Sequence, residues 1–487
     1  FGHHFASIAG AGPIIGPILA VSYFGWFAVV LWIALGTFFI GAVHDYLSLM
    51  LSVRHKGEGI AKVTEKITGK KTFYIFSILL WFALLLIITV FSVGSAQSLI
   101  EVPELVVPFF GITLTALFLG FMIYKFKKNK LLSSLIAIAL VVLFIFLGIK
   151  FPLSFGTGTT AFIIWLVILF IYALIVSILP VWTILQPRDY ISSISLFLFL
   201  GVGLLAIFIV RPILSAPAFI SSSLPLWPIL FVTVACGAVS GFHALVSSGT
   251  TSKQLDKETD GRPIAFGGMI AEGIVALLVV IFITAGLSWG GNGIGSFAAT
   301  LSKGWIIAFS SGFSNLVNQA FPFISLGLLV ILGSLVVNIF ILTSLDTSTR
   351  IGRMLSGEML PKKWNKKILL TLAILIPAFI LAITNTYVDL WRIFGSANQL
   401  IAAVVLTTIS AYFVEIKKPK WYTLIPAGFM LLTTLAALVY GLVNPTGYIL
   451  EKNIVLILIS LVLIIFALIV FVKLIKKIFK KGHKLRK

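Results

Sequence analysis

The chain has 487 residues, 60% of them hydrophobic and only 10% charged, with a mean hydropathy of +1.14. An ordinary soluble chain carries about 25% charged residues, so a water-soluble enzyme is excluded, and apolar runs of about 20 residues along the whole length define an all-α, multi-span membrane bundle. The net charge of +21 would suit nucleic acid, but its placement assigns it to a membrane face, and the single Cys236 leaves no internal disulfide or cysteine metal cluster.

Charges, glycines and prolines punctuate the chain into about fourteen candidate spans, at 4–20, 22–53, 72–97, 105–125, 131–150, 159–186, 191–212, 226–250, 263–288, 322–347, 367–388, 394–415, 421–441 and 450–478. The first residue is Phe1 and not Met, from which a missing stretch before it is expected. The opening segment holds Gly10, Gly12, Gly16, Pro13 and Pro17 behind His3, His4 and Ser7. It cannot be one regular helix. Glycine is permissive and proline removes a donor, so the backbone is expected to unwind near Gly10–Pro13. Small residues and prolines also serve close helix packing. Their concentration beside two histidines and a serine favours a substrate site, because a broken helix at membrane depth exposes amides to anions and carbonyls to cations. Neighbouring histidines can carry protons or cap carbonyls; a metal is disfavoured because no carboxylate or cysteine stands at ligand spacing.

Asp45 follows His44 and falls within its span. It either pairs with Arg188 or a histidine, or moves an ion. The turn Gln186-Pro-Arg-Asp-Tyr190 reads as a structural corner, with Arg188 and Asp189 as a local ion pair. Residues 235–254 combine small residues with His243, Ser247, Ser248, Thr250 and Thr251, which suggests polar lining. Gly2-His3-His4 with Gly10 and Gly241-Phe242-His243 with Gly249 share G-x-H-x5-G, an arrangement that inverted repeats would produce. Glu272 stands ten residues inside Arg262, about 15 Å along a helix, and is the best candidate for a proton-carrying carboxylate. The stretch 289–320 opens with Gly290, Gly291, Gly293 and Gly295 and then intersperses polar residues. It reads as re-entrant or peripheral. Asp346, amid Thr343, Ser344, Thr347, Ser348 and Thr349, offers oxygens for Na⁺, or is a helix end neutralised by Arg350.

Basic residues cluster at 54–71, 125–130, Arg188, 253–262, 350–367, 417–420 and the tail 473–487, and 31 of the 36 Lys and Arg lie in these seven places. They share one side of the membrane only if 289–320 does not cross. Cytoplasmic loops are enriched in Lys and Arg, so both termini of this chain are expected in the cytoplasm, the tail against anionic headgroups. No second domain is marked, and 1–487 reads as a single transmembrane domain. No phosphate-binding GxxxxGK[ST] occurs.

The strings FGHHFASIAGAGPIIGP, FIGAVHDY, LPVWTILQPRDYISS, ACGAVSGFHALVSSGTTSKQ, LTSLDTSTRIGRML and LWRIFGSANQL together resemble the carbon starvation protein A (CstA) family of membrane transporters. The resemblance runs in order from Phe1 to about Ala403. It implies a prokaryotic inner-membrane protein that takes up carbon sources during starvation, with peptides and, in close relatives, pyruvate as substrates. It also implies a LeuT-like fold with inverted repeats and a discontinuous first helix, and marks His3, His4, Gly10, Gly12, Pro13, His243, Ser247 and Thr250 as motif positions nearest the site. Family members normally carry an extra span before the GHH motif. The sequence thus leads to a symporter importing a small carboxylate nutrient (pyruvate, peptide or amino acid), with H⁺ or Na⁺ as coupling ion and no other cofactor. Glu272, Asp45 and Asp346 are the coupling candidates, and Ser7 joins the substrate candidates. The alternative is a nutrient receptor that binds the same ligand without moving it.

Overall fold

The computed structural model describes residues 1–291, 295–361, 363, 365–384, 387–445 and 447–484. Gly293 of the glycine-rich stretch, Lys362 of the basic loops and the last three residues of the tail lie outside them. The first interrupted pair is α1 (Gly2–Ala9) and α2 (Gly12–Phe24), followed by α3 (Trp26–Arg54), which carries a π-helical turn at Thr37–Gly41. A short amphipathic α4 (Ile60–Thr68) leads into the long α5 (Lys70–Glu101), then α6 (Pro103–Lys125), α7 (Lys130–Lys150), α8 (Gly158–Ile178) and α9 (Leu185–Val210). A second interrupted pair follows, α10 (Leu226–Thr233) and α11 (Gly241–Gly249), and then α12 (Gly267–Ala285). The short α13 (Phe297–Ser302) and α14 (Trp305–Ala320) precede α15 (Leu326–Met359), α16 (Lys367–Thr384), α17 (Tyr387–Glu415), α18 (Trp421–Val443) and α19 (Ile454–Lys484).

Among the described residues, thirteen helices are long and apolar enough to cross a membrane. The candidate span 226–250 is absent from that set because it is two short helices and not one. Backbone groups cannot be left unpaired in hydrocarbon, so burial sorts the helices: the most apolar window of α1–α2 is 94% buried, that of α7 only 22%. The interrupted pair is thus the centre of the bundle and α7 its rim, packed chiefly on α6. Exposed Leu, Ile and Phe on α7, α9, α18 and α19 form the lipid-facing surface.

Each break is built differently. At the first, Gly10 takes φ 37°, a conformation that glycine tolerates and other residues resist. The Ala11 carbonyl then accepts from the Ile14 and Ile15 amides at 3.1 and 2.9 Å. The unwinding is confined to Gly10 and Ala11. Pro13 falls inside the first turn of α2, where a missing N–H leaves nothing unpaired. At the second, residues 234–240 hold no proline, and the carbonyls freed around it are taken by distant side chains. Gln399 donates to Phe231 (2.5 Å), Trp391 to Thr233 (3.2 Å), Trp32 to Val234 (3.1 Å) and Thr37 to Gly237 (2.9 Å). Asn398 accepts from the Phe242 amide at 2.8 Å and so caps α11.

The two breaks touch. A Cβ on Gly16 would lie 2.7 Å from the Thr233 carbonyl oxygen, Gly12 abuts Cys236, and a Cβ on Gly237 would lie 3.5 Å from Pro13 Cα. The G-x-H-x5-G match does not set this register. His4 precedes its break while His243 follows the other, so the interruptions correspond and the histidines do not.

Residues 286–325 connect the ends of α12 and α15, with the buried α14 packed on α9, α12 and α15. The basic loops are tied together at one end of the molecule. Arg54 bonds Glu258 (2.9 Å), Lys62 approaches Glu358 (3.8 Å), and Lys477 of α19 pairs with Glu415 (3.1 Å) while donating to the Ile67 carbonyl.

Candidate functional site

Four elements deliver ionisable side chains to the crossing of the breaks. Asp45 of α3 accepts from His243 Nδ1 of α11 at 2.6 Å and from its neighbour His44 Nδ1 at 2.8 Å. On the far edge of the His243 ring, Nε2 stands 3.2 Å from Glu272 Oε2 of α12. The approach is oblique, so both atoms remain without a formed hydrogen bond. His4 of α1 bonds the Thr251 hydroxyl at 2.9 Å, and its ring lies against Gly268, one turn below Glu272. All of these side chains are buried. Both carboxylates are fully buried, and among the described residues His243 is the one ion-pair partner they share. With Nδ1–H committed to Asp45, the remaining ring nitrogen faces Glu272, and one proton can be held on either side of that contact.

A second buried cluster lies beside the first, joined to it through α1. His3 Nδ1 meets Asp189 Oδ2 at 2.6 Å. Arg188 turns the other way and pairs with Asp346 of α15 at 2.5 Å, while Tyr172 of α8 bonds both Arg188 and Asp346. This corrects two expectations. Arg188 and Asp189 are not a local ion pair, because consecutive helical residues point about 100° apart. Nor is Asp346 neutralised by Arg350, whose guanidinium is spent on the Val176 and Leu179 carbonyls. Arg188 is fully buried, so it lies inside the bundle and not at a solvated corner.

The remaining candidates divide. Ser7, Ser247 and Ser344 hydroxyls are buried without a hydrogen-bond partner, and a Cβ on Gly10 would lie 2.6 Å from Ser344 Oγ. Thr250 spends its hydroxyl on the Val246 carbonyl and lines a cavity of about 90 Å³ at the basic end, with Lys62, Thr347 and Glu358. Ser344 and Thr347 are three apart on α15, so one helix face runs from the first break toward this cavity. At the opposite end a cavity of about 500 Å³ lies between α2, α5 and α13–α14. Sequence reasoning missed Tyr172 as part of the buried polar system, ranked Asn398 only as a lesser polar mark, and undervalued Arg188. Consecutive charges that cannot face one another were the available signal.

Two interrupted helices crossing inside a helical bundle, ringed by buried ionisable groups and flanked by cavities at both ends, define a LeuT-like membrane transporter. Solved structures agree on the fold. A mutant of the manganese transporter from Eremococcus coleocola aligns over 99% of this chain and 94% of its own, with a TM-score of 0.61 at 12% identity. MhsT in complex with L-phenylalanine covers 97% of each chain at a TM-score of 0.53 and 13% identity.

The chain belongs to the carbon starvation protein CstA family, which it matches over residues 1–288 and 287–437. It is 30% identical to the peptide transporter CstA of Campylobacter jejuni, over 89% of this chain and 71% of that one. It is 31% identical to the pyruvate/proton symporter BtsT of Escherichia coli, over 90% and 73%. The peptide transporter CstA of Bacillus subtilis is 29% identical over 94% and 82%. The relatives are transporters, and the thirteen apolar helices make this a multi-pass membrane protein.

Proposed function

We propose that this chain is a proton-coupled secondary transporter that imports a small carboxylate-bearing nutrient, a short peptide or pyruvate, across a prokaryotic plasma membrane. The observation that carries the reading is His243 held between Asp45 and Glu272 where the two breaks cross. Substrate docks against amides freed at Gly10–Gly12, with the unpartnered Ser7, Ser247 and Ser344 hydroxyls as further partners. The Glu272–His243 contact exchanges a proton as the bundle rocks. A proton is favoured over Na⁺ because the carboxylate of Asp346, the residue best surrounded by hydroxyls, is already bound to Arg188. The end that gathers the basic loops faces the cytoplasm, and both termini of this chain lie on that side.

Glu272→Gln keeps the side chain's shape and removes its proton. In proteoliposomes with an imposed proton gradient, the variant should lose uphill accumulation while retaining substrate exchange at zero gradient. Uphill uptake equal to that of the unaltered protein would remove Glu272 from coupling; accumulation driven by sodium alone would overturn the proton.

A further inference from the structure

The cavity at the end away from the basic loops is large enough, at about 500 Å³, for a small-molecule site. Its wall carries two charges of opposite sign, Glu101 from the end of α5 and Lys303 from the turn between α13 and α14. Neither is ion-paired among the described residues. Each is solvent-exposed. The rest of the lining is mostly apolar, with Leu19, Ile100, Leu301 and Trp305, and polar at Ser22, Gln97 and Ser302.

One packed face of α5 connects this cavity to the breaks. Glu101, Gln97, Gly94 and Phe91 follow one another at helical spacing of three or four. Trp305 lies on Gly94, where a Cβ would be 2.7 Å from its ring, and Phe91 contacts Gly10. Glu101 is thus about 15 Å above the first break.

We propose that the outer cavity is a capture site for zwitterionic short peptides, with the peptide ammonium at Glu101 and its terminal carboxylate at Lys303. A dipeptide separates these two ends by roughly 7 Å, which suits a pair of charges that do not reach each other. The mostly apolar lining accepts side chains without selecting among them. A monocarboxylate such as pyruvate has nothing to offer Glu101 and is repelled by it, so the cavity favours peptides over pyruvate. This deepens the transport reading above and rests on it.

The test uses the full chain in proteoliposomes with Ala-Ala, N-acetyl-Ala-Ala, Ala-Ala-amide and pyruvate, comparing the unaltered protein with Glu101→Gln and Lys303→Gln at low salt, where exposed charges are least screened. Glu101→Gln should raise KM for Ala-Ala about two- to fivefold with kcat retained, a loss of the size of one exposed charge contact. It should leave pyruvate uptake equal or improved. Blocking the peptide amine should cost nothing further in Glu101→Gln, and blocking the carboxylate nothing further in Lys303→Gln, because each removes the same contact from the other side. Unchanged KM values in the variants, or fully additive losses, overturn the capture site and leave transport standing. So does accumulation of pyruvate without Ala-Ala. If the unaltered protein accumulates neither, calorimetric binding of Ala-Ala decides: the same pattern of variants supports capture while transport fails, and no binding overturns both.

Discussion

His243 is the residue on which the proposed proton exchange turns, because it stands beside both Asp45 and Glu272. The neighbouring Arg188 has a different duty. A buried guanidinium is costly unless paired, and breaking such a pair typically costs about 3–5 kcal/mol. Arg188→Met should therefore lower the melting temperature in detergent sharply by stranding the Asp346 carboxylate. Arg188→Met with Asp346→Leu should recover most of the loss, since both charges then leave together. A double variant no more stable than the single would show that the cluster is held by something other than this pair. Tyr172→Phe, which removes two hydrogen bonds to charged groups and little volume, should cost about 3 kcal/mol or more on the same measurement. Asp346 and Arg188 are 158 residues apart in the sequence, so their pairing is illegible there, whereas the polar character of both positions within apolar surroundings is plain.

Among the elements, the two breaks differ in how much the sequence reveals. Gly10, Gly12 and Pro13 announce the first, since no regular helix accommodates them together. The second carries Cys236, Gly237, Ala238 and Ser240, residues that suit either tight packing or unwinding, and its stabilising donors come from Trp32, Thr37, Trp391, Asn398 and Gln399. The local sequence lacks the reason for the break. It lies in the long-range contacts that pair the freed carbonyls. Contact between the breaks also makes small residues obligatory. Gly16→Ala would press a methyl group against a backbone oxygen 2.7 Å away, and overpacking of that kind costs about 1–3 kcal/mol. Gly428→Ala in α18 meets nothing within 4 Å and should be neutral or stabilising by up to about 1 kcal/mol. Thermal unfolding of both variants checks the contrast; equal stabilities would mean that the breaks do not pack closely.

For the whole molecule, charge placement gave the most readable signal. The basic loops scattered through the sequence converge at one end, where Arg54, Lys62 and Lys477 reach acids from other loops. The architecture of a LeuT-like bundle follows less from composition, which fixes only that helices span, than from the order of broken and unbroken helices. The proposed orientation predicts a simple labelling result. In intact cells a membrane-impermeant thiol reagent should modify Lys303→Cys and spare Lys62→Cys, and inverted vesicles should reverse the pattern. Modification of Lys62→Cys in intact cells would turn the molecule over.

The lone cysteine has a practical consequence. Cys236 lies in the second break, buried against Gly12 and bonded by the Asn398 amide at 3.2 Å. A thiol there is shielded while the broken helices stay together. If transport parts them as proposed, the alkylation rate of this single sulfhydryl should serve as a chronometer of the openings, and substrate that holds the helices together should slow the count.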